Sequence, residues 1–195
     1  MRKLTWKNIN NNQMDRFEVM RPKLCLYRFF LRLGLGRSNR KSKMVDELHN
    51  ADSIVFVCKG NICRSPFAER YARELFPVKD IRSSGSRAKI GKKSPEKAIK
   101  ASKKFGVDLS EHSADRIPEE ELKRSDIIFV FDPENLMDVK KDHPPLADRT
   151  FILSELIDEP WIPDPYGKGE EEFRNSYEMI TRSLKRMSEI MKNRD

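Results

Sequence analysis

The chain is short of cysteine and has no long apolar run, and each shortage closes off a class of protein. Three cysteines, Cys25, Cys58 and Cys63, make no disulfide framework in a chain of 195 residues. A reactive cysteine with a close neighbour fits a reducing cytosol instead. No apolar stretch approaches the ~20 residues needed to cross a bilayer. The short apolar stretch near Leu24 is interrupted by Arg28 and Arg32, and no small-residue cleavage site follows. The layout of a secretory leader is therefore missing. No internal repeat is visible.

What remains is enough for one compact domain with a real core. The hydrophobic fraction is 37% and the charged fraction 36%, polar for a globular protein but not a disordered composition. The net charge of +8 is unevenly placed. Residues 1–43 hold twelve Lys and Arg against two Asp and Glu, and the rest of the chain holds 27 against 29. The basicity belongs to an N-terminal arm, and the near-neutral remainder gives no reason to expect nucleic acid as a partner.

Residues 1–50 read as this basic extension. Asn8 to Gln13 is loop, and Pro22 to Leu33 is a helix started by Pro22 and ended by Gly34 and Gly36. Arg37 to Lys43 is a basic linker. Leu26, Phe29, Phe30 and Leu33 with Arg28, Arg32 and Arg37 form either a basic amphipathic helix for an anionic membrane surface or a face that docks on a partner or on the domain. A disordered leader is the remaining alternative. The protein is expected in the cytoplasm, with the arm able to reach the inner membrane.

Residues 51–195 read as an α/β domain. Ser53–Val57 is a continuous apolar run, the pattern of a buried parallel strand. Helices are expected over 66–76, 95–105, 118–124 and 133–141, and further strands over 80–84, 126–131 and 149–153. The last helix, 170–192, places Phe173, Tyr177, Ile180, Leu184, Met187 and Met191 on one face. Alternating strands and helices imply a doubly wound sheet flanked by helices.

The first strand runs into Cys58-Lys59-Gly60-Asn61-Ile62-Cys63-Arg64-Ser65-Pro66. A loop closed this tightly aims a thiol and a guanidinium at one anion. Ser65 is a good helix N-cap and Pro66 suits the first helical position, so the loop ends at a helix N-terminus that favours a bound oxyanion. Gly60 and Asn61 tolerate positive φ, which lets backbone N–H groups turn inward as an anion nest. The same field favours the Cys58 thiolate. Arg64 can bind two phosphate oxygens at once, a geometry lysine does not reproduce. Ser65 can cap the helix and donate to the Cys58 sulfur. A second motif, Ile162-Pro163-Asp164-Pro165-Tyr166, follows about a hundred residues later. On spacing alone, Asp164 is as readily a turn aspartate before proline as a general acid.

The two motifs together resemble the low-molecular-weight protein tyrosine phosphatases, over roughly Asp52 to the C-terminus. The resemblance implies a four-stranded parallel sheet with the phosphate-binding loop after its first strand. It implies metal-independent, cofactor-free hydrolysis of phosphotyrosine through a phosphocysteine on Cys58. Arg64 and residues 59–63 (Lys59, Gly60, Asn61, Ile62, Cys63) would cradle the phosphate, and Asp164 would be the general acid. It further implies support of Asn61 by Ser83 and His112, and Tyr166 stacked on the substrate ring. Cys63 is either a redox partner for oxidised Cys58 or a small residue filling the loop. Arg87, Ala88, Lys89 and Ile90 stand where many members carry an aromatic wall, and Gly167 replaces a second tyrosine. Both features look closer to the bacterial branch associated with exopolysaccharide tyrosine kinases. The implied partner is then a phosphotyrosine protein such as a bacterial tyrosine kinase of polysaccharide export, with Lys89, Lys92 and Lys93 meeting an acidic tail. An arsenate reductase on the same fold is the alternative. Its thioredoxin-coupled form fails because no cysteine follows Cys63, which leaves a form using an external thiol.

Overall fold

The computed structural model describes residues 24–26, 28, 29, 33, 37–77 and 79–193. Four parallel strands form its centre: β1 (Ser53–Cys58), β2 (Asp80–Gly85), β3 (Ile127–Val130) and β4 (Thr150–Ile152), in the order β2-β1-β3-β4. The helices are α1 (Arg37–Asn50), α2 (Arg64–Leu75), α3 (Glu96–Lys103), α4 (Glu119–Lys123), α5 (Pro133–Asp142) and α6 (Glu170–Lys192). Two 3₁₀ turns, Pro144–Arg149 and Leu153–Ile157, flank β4. The doubly wound sheet expected from the alternation is present.

Strand residues alternate between two apolar layers, as a pleat requires. Ile54, Phe56, Ile127 and Phe129 face one layer with α1, α2, α3 and α6, and Val55, Val57, Ile128 and Val130 face the other with α4 and α5. Helix α6 buries Phe173, Tyr177, Ile180, Leu184 and Met187, with Met191 partly covered at its end. Tyr177 stacks on Phe67 of α2, ring centroids 4.0 Å apart and planes 7° from parallel. That stack fixes α2, and with it the loop that leads into α2.

The order of the strands positions the site. The chain leaves β1 toward β2 on one side and reaches β3 on the other, so the carboxyl ends of β1 and β3 border a topological switch point. Cys58 ends β1 there.

The N-terminal region departs from expectation. The linker expected over 37–43 is the first two turns of α1. Two apolar residues one turn apart, Met44 and Leu48, are wholly buried in the same core layer as β1 and α6, and this packing outweighs the polar, basic start of the helix. Of the earlier helix, residues 24–26, 28 and 29 are helical, while its expected ends at Pro22, Gly34 and Gly36 and the loop over 8–13 lie outside the described residues. No helix among the described residues is long and apolar enough to cross a membrane.

Burial of Leu48 yields a direct test. Leu48→Ala is expected to cost about 2–5 kcal/mol of stability, read as a lower urea midpoint. An unchanged midpoint would place α1 outside the cooperative core.

Candidate active site

The loop from Cys58 to Arg64 is drawn around a single residue, Asn61, at φ +50 in the left-handed region. Of the two residues expected to tolerate positive φ, Asn61 uses it and Gly60 does not. Every polar group of Asn61 with a recorded partner is tied inward. Its N–H donates to Cys58 Sγ at 3.2 Å, and its Nδ2 donates to Ser65 Oγ and to Ser83 Oγ, each at 2.9 Å. Its Oδ1 accepts from the Asp115 N–H at 2.9 Å, and its carbonyl accepts from His112 Nε2 at 2.7 Å. The carbonyl can only accept, so Nε2 carries the proton in this contact. Ser83 in turn donates to Glu69.

Gly85 closes the same knot from β2. A Cβ there would lie 2.9 Å from the Asn61 backbone nitrogen and 2.8 Å from the Ala88 Cβ, closer than side chains approach. The glycine is needed for this approach of β2 to the loop.

Ser65 is not the helix cap that its position suggested. Helix α2 begins at Arg64 with Cys63 before it, and no side chain caps it. The Ser65 hydroxyl is instead 3.0 Å from Cys58 Sγ and 3.2 Å from the Ser84 carbonyl. Its oxygen accepts from Asn61, so its one proton is shared between the Ser84 carbonyl and the Cys58 sulfur.

Arg64 is 2% exposed at its side chain and strongly held. Its Nη1 donates to Asp132 Oδ2 at 2.6 Å and to the Ile162 carbonyl at 3.1 Å, and its Nη2 is 3.1 Å from Asp164 Oδ2. The guanidinium carbon lies 5.6 Å from the centre of the Phe131 ring. Burial works against the charge, but Asp132 first and Asp164 next outweigh it and keep the guanidinium firmly protonated. Its buried Nε has no hydrogen-bond partner among the described residues, a donor the protein leaves unused.

The sequence motifs do not mention Asp132. It stands at the carboxyl end of β3, caps α5 by accepting from the Asn135 N–H at 2.8 Å, and orients Arg64 with its other oxygen. An Asp-Pro pair directly after a buried strand was the available signal, since such strand ends face the ligand crevice.

Cys58, Arg64 and Asp164 line a cleft of about 300 Å³. Its buried part holds Cys58, Ile62, Cys63 and Arg64, and its exposed rim holds Lys59, Arg87, Lys89, Lys92 and Tyr166. Asp164 stands at the wall, 44% exposed, and its Oδ1 accepts from the Tyr166 N–H at 3.2 Å. Tyr166 lies across the mouth, with the Lys92 ammonium 5.0 Å above its ring. The structure thus brings Cys58, Arg64 and Asp164 to one cleft. Ser83 and His112 lie behind the loop, touching Asn61 rather than the cleft.

Cys63 is buried, and burial, then the neighbouring Cys58 and Asp164, pushes its thiol far above the usual range. It rests as a protonated thiol. Of the two cysteines in the loop, Cys58 is the one whose sulfur accepts the Asn61 N–H and meets the Ser65 hydroxyl.

The region from residue 53 to 195 matches the family described as low molecular weight phosphotyrosine protein phosphatase. The low molecular weight protein-tyrosine-phosphatase Etp of Escherichia coli K12 is 30% identical over 132 residues, covering 68% of this chain and 89% of Etp. The structure of the tyrosine phosphatase Wzb from Escherichia coli K30, in complex with sulphate, has a TM-score of 0.68 at 32% identity, covering 71% of this chain and 97% of that one. The Erwinia amylovora tyrosine phosphatase AmsI has a TM-score of 0.67 at 30% identity, over 70% of this chain and 91% of that one.

His112 links the loop to pH. Burial holds its imidazole below its ordinary value of 6.5, against the opposing hydrogen bond to Asn61. A base with a depressed folded value contributes stability that is full above about pH 6.5 and lost as pH falls through the folded value. Acidification from about pH 7.5 to about pH 5.5 is therefore expected to lower the Tm of the parent more than that of His112→Gln. Equal shifts would remove His112 from the acid response.

Proposed function

The chain belongs to the low molecular weight phosphotyrosine protein phosphatase family, and we propose that it hydrolyses phosphotyrosine in proteins through a phosphocysteine on Cys58. Residues 51–195 form the phosphatase domain on this reading, and residues 1–50 an extension. The observation that carries it is Arg64, held beside the Cys58 loop with Asp164 3.1 Å from its Nη2.

The phosphate enters against the loop, with Arg64 and the backbone of residues 59–63 around its oxygens. The Cys58 sulfur attacks phosphorus, and the bond from phosphorus to the tyrosine oxygen breaks. Asp164, carrying a proton when substrate binds, gives that proton to the leaving oxygen. The protein with its tyrosine hydroxyl restored departs, and a thiophosphate ester remains on Cys58. Asp164, now a carboxylate, takes a proton from water as the water oxygen attacks phosphorus. The S–P bond breaks, inorganic phosphate leaves, and the Ser65 hydroxyl stabilises the returning thiolate at the 3.0 Å contact. No metal takes part in these steps. The enzyme works in the cytoplasm, where the nucleophile stays reduced.

The rim sets the kind of phosphotyrosine protein. Lys59 and Lys89 are exposed at the cleft and pair with no carboxylate among the described residues. Arg87 and Lys92 stand beside them. An acidic segment around the phosphotyrosine suits this rim, as in the tail of a bacterial tyrosine kinase of polysaccharide export.

Phosphate release from matched phosphotyrosine and phosphoserine peptides with EDTA present is expected from the phosphotyrosine peptide alone, and to vanish in Cys58→Ser. Arsenate reduction with a thiol donor in place of phosphate release would favour the reductase instead. For the rim, Lys59→Ala with Lys89→Ala is expected to raise KM about 3- to 10-fold for a phosphotyrosine peptide flanked by glutamates. The same pair should leave KM for p-nitrophenyl phosphate unchanged, and a uniform rise in both would assign the lysines to the phosphate rather than the flanks.

A further inference from the structure

We propose that the segment ahead of the family match braces the loop that carries Asp164, with Arg28, Arg40 and Lys41 as positioning residues for the general acid. The inference rests on the reading of Asp164 as that acid. All three residues precede the match at 53–195. Their contacts converge on one stretch of chain at the other end of the sequence.

The stretch leaves β4 and runs to Asp164. It begins with the 3₁₀ turn Leu153–Ile157, reverses at Asp158 with φ +60, and continues through Trp161 and Ile162. Backbone bonds hold it at three places: the Asp158 N–H donates to the Glu155 carbonyl at 3.3 Å, the Glu159 N–H to the Ser154 carbonyl at 3.1 Å, and the Ile162 N–H to the Phe131 carbonyl at 2.7 Å. The N-terminal segment takes hold through three side chains. Arg40 pairs with Glu155, whose side chain is only 2% exposed. Lys41 Nζ lies 2.8 Å from both carboxylate oxygens of Asp158. The Arg28 guanidinium sits 5.8 Å from the Trp161 ring centre and donates to Glu134 Oε1 at 3.1 Å. Glu155, Asp158 and Trp161 thus step by threes toward Asp164.

The bridge made by Arg28 is the most informative. Glu134 is two residues beyond Asp132, and Trp161 is three residues before Asp164. Asp132 and Asp164 are the two carboxylates that hold Arg64. One side chain from the arm therefore ties together the two segments from which Arg64 is gripped. A carboxyl group that must meet a leaving oxygen loses rate steeply with small displacements, so a brace on its loop acts on proton transfer. The turn at Asn61 that places the Cys58 sulfur is held separately, from β2 and α2.

Leaving groups separate this role from simple stabilisation. p-Nitrophenolate departs with little help from an acid, whereas phenolate needs its proton. The full-length double variant Arg28→Ala with Lys41→Ala is suited to the test, because both ion pairs are partly exposed and cost little stability. The expected result is a fall of about 3- to 10-fold in kcat/KM for phenyl phosphate and under about 2-fold for p-nitrophenyl phosphate. Inhibition by inorganic phosphate should be unchanged. Equal losses on the two esters, or none on either, would overturn the brace. Asp164→Asn is measured alongside. If it discriminates between the esters and the double variant does not, the brace alone fails. If it does not discriminate, the general-acid reading fails and the brace falls with it.

Discussion

A guanidinium that is almost wholly buried sets the terms for the rest of the site. Arg64 has left water, and an unpaired charge in that position would cost several kcal/mol. The fold answers with Asp132 from the end of β3, and with the Ile162 carbonyl and Asp164 from the loop that follows β4. The cost of burial is thereby converted into orientation. One edge of the guanidinium is occupied by protein, and Nε is left with no partner among the described residues. An anion-binding arginine on a flexible surface would have to be ordered anew by each substrate.

The loop itself depends on a second constraint, the left-handed turn at Asn61. That conformation is uncommon for a residue with a side chain, and asparagine is among the few that reach it readily. Here the side chain also repays the conformation, since its amide binds Ser65, Ser83 and Asp115 at once. Ser83 and His112 act through this one residue, the former from β2 and the latter from the turn after α3. Gly85 belongs to the same constraint, because its missing Cβ is what allows β2 to approach the Asn61 nitrogen. The sulfur of Cys58 is thus placed by groups that never enter the cleft.

The two cysteines of the loop show how far position divides like side chains. Cys58 ends a strand and faces donors, whereas Cys63 precedes α2 and is sealed by the core. The arm shows a similar division among charges. Many of its basic residues were legible only as a net positive segment, yet Arg28, Arg40 and Lys41 meet specific carboxylates more than a hundred positions away. A charge census cannot anticipate such pairs, because it records sign and not destination. Helix α1 was missed for a related reason. Met44 and Leu48 are too few to make a visible periodicity, and only the complementary surface of α6 makes them core.

The sequence by itself determined what is local: the buried strand before Cys58, the amphipathic register of α6, and the loop in which a thiol and a guanidinium lie six positions apart. These follow from hydrophobic period, turn chemistry and short spacing, all of which act over a few residues. It also named Asp164, but only through the resemblance of its motif, since an Asp before Pro is equally at home in an idle turn. Tertiary structure decided what no short window holds. It brought Asp164 to Arg64 across a hundred residues, supplied Asp132 from the end of β3, kept the sulfur contact but not the helix cap of the two roles expected of Ser65, and drew the N-terminal segment onto the loop of the acid. The physical reason is common to all four. A buried charge or a buried polar group must find its partner wherever the fold puts one, and the parallel sheet gathers the ends of distant strands at a single crevice.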